Sequence, residues 1–183
     1  MRGNTKNQIK EVFKIIIYLI ALFVITFLFI KYVMQRTDVS GNSMQPALEN
    51  GDTLLVDKIS YRFSDPKRFD IVVFPFQDDE KTYYIKRIIG LPGETVQLLP
   101  DGSILINGEI LRENYGKEII QNPGIAVNQI TLGEDEYFVM GDNRNNSKDS
   151  RDVHVGNIKR SDLIGKAWIR IFPFSSFGVL KHQ

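Results

Sequence analysis

The chain has 183 residues, enough for one domain with an appendage rather than two full domains. Its net charge of +1 gives no sign of the concentrated basic face that nucleic acid requires, so no nucleic-acid partner is expected. It has no cysteine, which excludes a disulfide framework or thiolate metal site and lets the chain sit in an oxidising compartment without mispairing.

The first element in chain order is apolar. Residues 15–30 (IIIYLIALFVITFLFI) carry no charge, and Val12, Phe13, Tyr32, Val33 and Met34 extend the run. Lys14 and Lys31 lie near its ends, where long stems can snorkel to the headgroups. The run is apolar all round, unlike a soluble helix with a polar stripe. Residues 12–34 exceed the roughly 20 residues that a helix needs to cross a bilayer. A cleaved signal peptide is the rival, but residues 31–36 (KYVMQR) offer no site of small residues, so an uncleaved transmembrane anchor is expected. Arg2, Lys6, Lys10 and Lys14 precede the run, whereas only Lys31 and Arg36 closely follow it. The positive-inside rule then puts residues 1–11 in the cytoplasm and residues 35–183 outside, on a single-pass protein of the cell membrane.

The outer segment reads as mainly β. Residues 52–57 and 70–74 are short runs of β-formers bounded by Gly, Asp and Pro, and residues 83–89 form another. Residues 97–111 (QLLPDGSILINGEIL) carry two turn signals, Pro100-Asp101-Gly102 and Asn107-Gly108. Residues 136–140 and 167–172 complete the strands. The expected architecture is an antiparallel, sandwich- or barrel-like β-sheet domain behind one membrane helix. Residues 171–180 (IFPFSSFGVL) either dip aromatics into the membrane interface or close the sheet's core, and core closure is the favoured reading.

Peptide hydrolysis by a serine needs a base for the hydroxyl proton and donors for the oxyanion. The two histidines serve poorly: His182 is next to last in the chain and His154 follows a charged, solvated segment. They assemble no metal cluster either, so no metal or cofactor is expected. A lysine base is the alternative. Residues 40–48 (SGNSMQPAL) form a Gly-containing turn that exposes Ser43, and residues 83–90 (YYIKRIIG) carry Lys86. Strand alternation gives Lys86 apolar same-face neighbours in Tyr84 and Ile88, with Arg87 facing the other way. Desolvation lowers a lysine pKa from ~10.4, toward a neutral base. On this segment alone an exposed strand lysine is the better reading.

Three segments in order, residues 40–48, 86–94 (KRIIGLPGE) and 141–151 (GDNRNNSKDSR), resemble the signature boxes of type I signal peptidases, and residues 51–58 (GDTLLVDK) look like the strand between the first two. The short spacing before the last box resembles the compact form of Gram-positive bacteria. The resemblance implies that Ser43 is the nucleophile, Lys86 the general base and Ser147 the serine that hydrogen-bonds and orients the lysine. Asp149 and Arg151 match a supporting charged pair, for which the bland reading is a surface ion pair worth ~0–1 kcal/mol. Met44, Leu48, Tyr84 and Ile85 match positions that line substrate pockets. The implied substrates are secretory preproteins with small residues at −1 and −3, cut at the bilayer by a monomeric enzyme through an acyl-enzyme. The peptide would add as a strand along residues 83–89. This chain departs from the pattern at Gly41, where many relatives carry a hydroxyl oxyanion donor, at Asn145 in place of Asp, and at Ala47 in place of Thr. Two other readings stand beside this one: a catalytically inactive, membrane-tethered peptide-binding β-domain, and a self-cleaving Ser–Lys regulator, which the membrane anchor disfavours.

Overall fold

The computed structural model describes residues 2–76 and 79–181 of the chain. His182 lies outside the described residues. Helix α1 (Arg2–Tyr32) contains a 22-residue stretch, Gln8–Phe29, of mean hydropathy 2.7 with none of its most apolar window buried. Such a length spans about 33 Å at the α-helical rise, enough for ~30 Å of hydrocarbon. The helix stops two residues short of the expected boundary, because Met34 already pairs with Asp57 as the first residue of a strand.

Twelve strands follow among the described residues: β1 (Met34–Asp38), β2 (Thr53–Asp57), β3 (Ile71–Phe76), β4 (Asp79–Gly90), β5 (Thr95–Leu98), β6 (Ile104–Ile106), β7 (Glu109–Ile110), β8 (Ile130–Thr131), β9 (Glu136–Met140), β10 (Ile158–Lys159), β11 (Gly165–Phe172) and β12 (Gly178–Val179). All described pairings are antiparallel. The larger sheet runs β1-β2-β11-β3-β4-β9-β10, with β12 on β11, and its described path does not close into a barrel. A smaller sheet, β7-β6-β5-β8, carries the two expected turns. Asn107 and Gly108 both take positive φ at 54° and 81°, as a tight hairpin turn demands.

The central strands are buried on both faces, which is why they read as continuous apolar runs rather than alternating ones. In β3, Ile71 and Val73 join a core with Met44, Leu48, Leu54, Val56 and Ala167, while Val72 and Phe74 join a second with Ile88, Tyr137 and Val139. A third core, including Ile89, Val96, Leu98 and Phe138, welds the small sheet to the large one. Gly90 sits at that junction. A Cβ there would meet Val96, Leu132 and Phe138 at 2.6–3.0 Å, so only glycine permits the close approach.

Residues 171–180 close the core through Leu180 alone. Phe174 and Phe177 are 81% and 64% exposed, and only Leu180 is buried, at 6%. The short helical turn over Phe174–Ser176 leaves both rings exposed, Phe174 edge-on to Phe172 of β11 at 5.9 Å, before β12 returns to β11.

Candidate active site

The β1–β2 connection carries Ser43. Its ends are tied where Val39 N–H donates to the Asp52 carbonyl (2.8 Å) and Gly51 N–H donates to the Val39 carbonyl (2.9 Å). Gly41 takes φ +92°, and its N–H is spent on Asn50 Oδ1 at 2.9 Å. The apolar side chains of Met44 and Leu48 plug this loop into the first core at 2% and 0% exposure, leaving Ser43 half-buried. Arg170 clamps the loop's far side through Asp52 at 2.8 Å and the Ala47 carbonyl at 3.1 Å.

Lys86 enters from β4. Its Nζ lies 2.9 Å from Ser43 Oγ and 2.9 Å from the Ile85 carbonyl, and 4.9 Å over the Tyr84 ring. The side chain is 4% exposed, so the alternative of an exposed strand lysine is excluded. Burial lowers its pKa from 10.5 to about 8, against the opposing pull of Asp149 and Asp142. Arg87 faces the other way, as alternation requires, and is also buried; its guanidinium forks onto Asp142 at 2.8 and 2.7 Å and stacks on Tyr115 at 3.7 Å. Burial pushes the Asp142 carboxyl up, and the Arg87 fork opposes that without cancelling it.

The 141–151 loop forms the back of the site. Asn143 donates from its backbone N–H to the Ser43 carbonyl (3.0 Å) and from Nδ2 to the Asn42 carbonyl (3.1 Å). Asp149 accepts from Gly141 N–H at 3.0 Å and from Arg151 Nε at 2.8 Å. Their side chains are 0% and 7% exposed, so this pair is buried rather than a surface one. Arg151 also donates to the Arg144 and Asn122 carbonyls, stitching the loop shut. Asn145 replaces a charge with amide chemistry: it accepts from Gln121 N–H and donates to Glu118 and the Ile119 carbonyl.

Two expected placements fail. Ser147 does not bond to Lys86: its hydroxyl is buried without a hydrogen-bond partner among the described residues, because the lysine amine turns to Ser43 and Ile85 instead. Leu48 does not line the open cleft. That cleft, of 360 Å³, is walled by residues 38–44 and 82–86 with Asn146 and Lys148, so Met44, Tyr84 and Ile85 reach it while Leu48 lies in the core beneath. The open strand edge is also shorter than expected, since β9 pairs β4 from Arg87 onward and leaves residues 82–86.

Sequence reasoning missed the Asn143 clamp and the buried ion pair of Arg144 with Glu113 at 2.6 Å. Asn143 was within a matched box. Glu113 sits in a segment without strand pattern, and nothing in the sequence pointed to it. His154 is exposed, as expected. Among the described residues no cluster of His, Cys, Asp or Glu could hold a metal ion.

The family model for signal peptidase, peptidase S26, matches residues 9–172. A probable signal peptidase I-2 of Synechocystis sp. is 40% identical over 154 residues, covering 81% of this chain and 68% of that protein. A signal peptidase I P of Bacillus subtilis subsp. natto is 38% identical over 180 residues, covering 94% and 93%. The crystal structure of a signal peptidase I from Enterococcus faecalis V583 is 35% identical and covers 56% of this chain and 97% of that one, with a TM-score of 0.45. With its family boxes gathered around one buried lysine and one serine, this chain belongs to the peptidase S26 family of signal peptidases.

Proposed function

We propose that this protein is a membrane-anchored serine endopeptidase that removes N-terminal signal peptides from secretory preproteins, with Ser43 as nucleophile and Lys86 as general base. The observation that carries it is the 2.9 Å approach of a buried amine, its pKa lowered to about 8, to the Ser43 hydroxyl. In its neutral form Lys86 accepts the proton while Ser43 Oγ attacks the scissile carbonyl. The resulting ammonium gives that proton to the leaving amine, and a water, deprotonated by the same lysine, then hydrolyses the acyl-enzyme. The Ser43 N–H makes no hydrogen bond among the described residues and serves as one oxyanion donor. Gly41 N–H is committed to Asn50, and Gly41 has no hydroxyl, so the second donor comes from elsewhere.

The substrate strand enters between residues 38–42 and 82–86, with its acyl side running alongside β4 toward Lys86. Met44 and Ile85, 2% and 8% exposed, leave only shallow hollows, which favours Ala-sized groups at −1 and −3. Ser147, unpaired beside the Ser43 peptide, is assigned to accept a hydrogen bond from Lys86 once the Ser43 oxygen has been taken up in the bond to the substrate carbonyl carbon. Helix α1 holds the site against the bilayer, N-terminus in the cytoplasm, where a signal peptide emerges. Incubating the full chain with a preprotein, wild type beside Ser43→Ala, tests this: cleavage after the small residues by wild type alone supports it, and equal cleavage by both overturns it. No cleavage by wild type would instead favour an inactive peptide-binding domain.

A further inference from the structure

A second cleft, of 220 Å³, shares no lining residue with the one that holds Ser43 and Lys86; it is walled by Lys58, Tyr61, Arg62, Pro66, Arg160 and Leu163 together with Ile164. Three of its walls are cationic. It also adjoins the end of the membrane helix: Lys58 N–H donates to the Val33 carbonyl at 2.9 Å, one residue beyond α1. Isolated surface cations are ordinarily just solvated. Here, however, the Arg160 guanidinium is spent on the Tyr61 and Ser64 carbonyls at 2.8 and 3.2 Å and on Asp65, so it fixes the cleft wall and leaves Lys58 and Arg62, whose side chains have no partner among the described residues, as the available donors.

The nearby carboxylates are largely engaged. Asp57 accepts the Ile59 and Ser60 N–H groups, and Asp70 takes Lys166 and the Tyr61 hydroxyl. Asp65 pairs with Arg160 at 3.2 Å but is itself 88% exposed, leaving the cleft with net positive charge. Pro66, Leu163 and Ile164 supply an apolar side, and Phe63, 83% exposed, projects next to Arg62. Cationic donors, an apolar wall and an exposed aromatic at a membrane helix end match a phosphate ester on an acyl-bearing backbone.

We infer that the Lys58–Arg62–Arg160 cleft binds a phosphate group, that of an anionic membrane lipid. This rests on reading α1 as a membrane anchor. The test is native mass spectrometry of the detergent-solubilised full chain offered equal phosphatidylglycerol and phosphatidylcholine, and separately inorganic phosphate, for wild type and Lys58→Gln/Arg62→Gln. Wild type retains phosphatidylglycerol over phosphatidylcholine, and the double variant loses that preference by roughly 25-fold, taking about fivefold per basic residue. Neither residue touches the dyad, so the variant cleaves a soluble peptide like wild type, which shows that it is folded. Binding of inorganic phosphate without lipid preference, lost in the variant, assigns the cleft to free phosphate instead. Equal retention of every ligand by wild type and variant, or none by either, overturns the inference. Flotation of wild type with phosphatidylcholine vesicles reports the anchor separately: failure there removes the lipid arm and leaves the phosphate arm to decide the cleft.

Discussion

Gly141 and Ser43 meet with no space between them: a Cβ on Gly141 would collide with the Ser43 carbonyl oxygen and with the Ser147 hydroxyl. The 141–151 loop therefore sets the position of Ser43, the proposed nucleophile, by direct backbone contact, reinforced by the two Asn143 bonds to residues 42 and 43.

Gly141→Ala should consequently impair catalysis more than folding. Forcing in one methyl costs about 1–3 kcal/mol of stability, whereas displacing the nucleophile by about 1 Å costs on the order of 100-fold in rate. Steady-state kinetics beside urea unfolding, followed by the single tryptophan Trp168, separate the two effects. A variant with normal kcat would show that the loop does not position Ser43.

Lys86 should cost the fold stability at neutral pH. Its folded pKa of about 8 lies below the ordinary 10.5, so between those values the unfolded chain holds the extra proton and stability rises with pH. Below about 8 the whole penalty, on the order of 3 kcal/mol, is in force. Lys86→Met removes the charge and keeps the volume; it should be inactive, more stable than wild type at pH 7, and free of this rise between pH 8 and 10.5. Unfolding midpoints across that range check the sign.

Arg151→Ala should be among the most destabilising single changes in the β-sheet domain. It leaves Asp149, fully buried, without its partner and frees the Arg144 and Asn122 carbonyls. Removing one member of a buried pair costs about 3–5 kcal/mol. A loss under about 1 kcal/mol would return the pair to the surface class.

Phe174→Ser with Phe177→Ser should change stability by less than about 0.5 kcal/mol, because both rings are exposed. Binding of residues 35–183 to vesicles should weaken if those rings dip into the interface, the role their exposure now favours. Unchanged retention on phosphatidylcholine–phosphatidylglycerol vesicles would count against it.

The strands were legible because β3, β4 and β9 are runs of β-formers with breakers at each end, and the membrane helix because no polar face interrupts it. Ser43 and Lys86 were legible only through their flanking residues. The dyad pairs side chains 43 positions apart, a contact that strand alternation cannot reveal. Leu48 was misread for a related reason: periodicity distinguishes core from solvent, not a cleft's lining from the core just beneath it. Phe174 and Phe177 look like core residues by type, and only the turn at Phe174–Ser176 turns them outward. The Arg144–Glu113 pair joins two loops, where no repeat marks a partner.

The most direct measurement is kcat for preprotein cleavage by the full chain as a function of pH. With neutral Lys86 as the base, kcat falls about tenfold per pH unit below an inflection near the lowered pKa of about 8, and Lys86→Ala abolishes turnover. A profile flat down to pH 6, or a Lys86→Ala enzyme that turns over normally, would contradict the account.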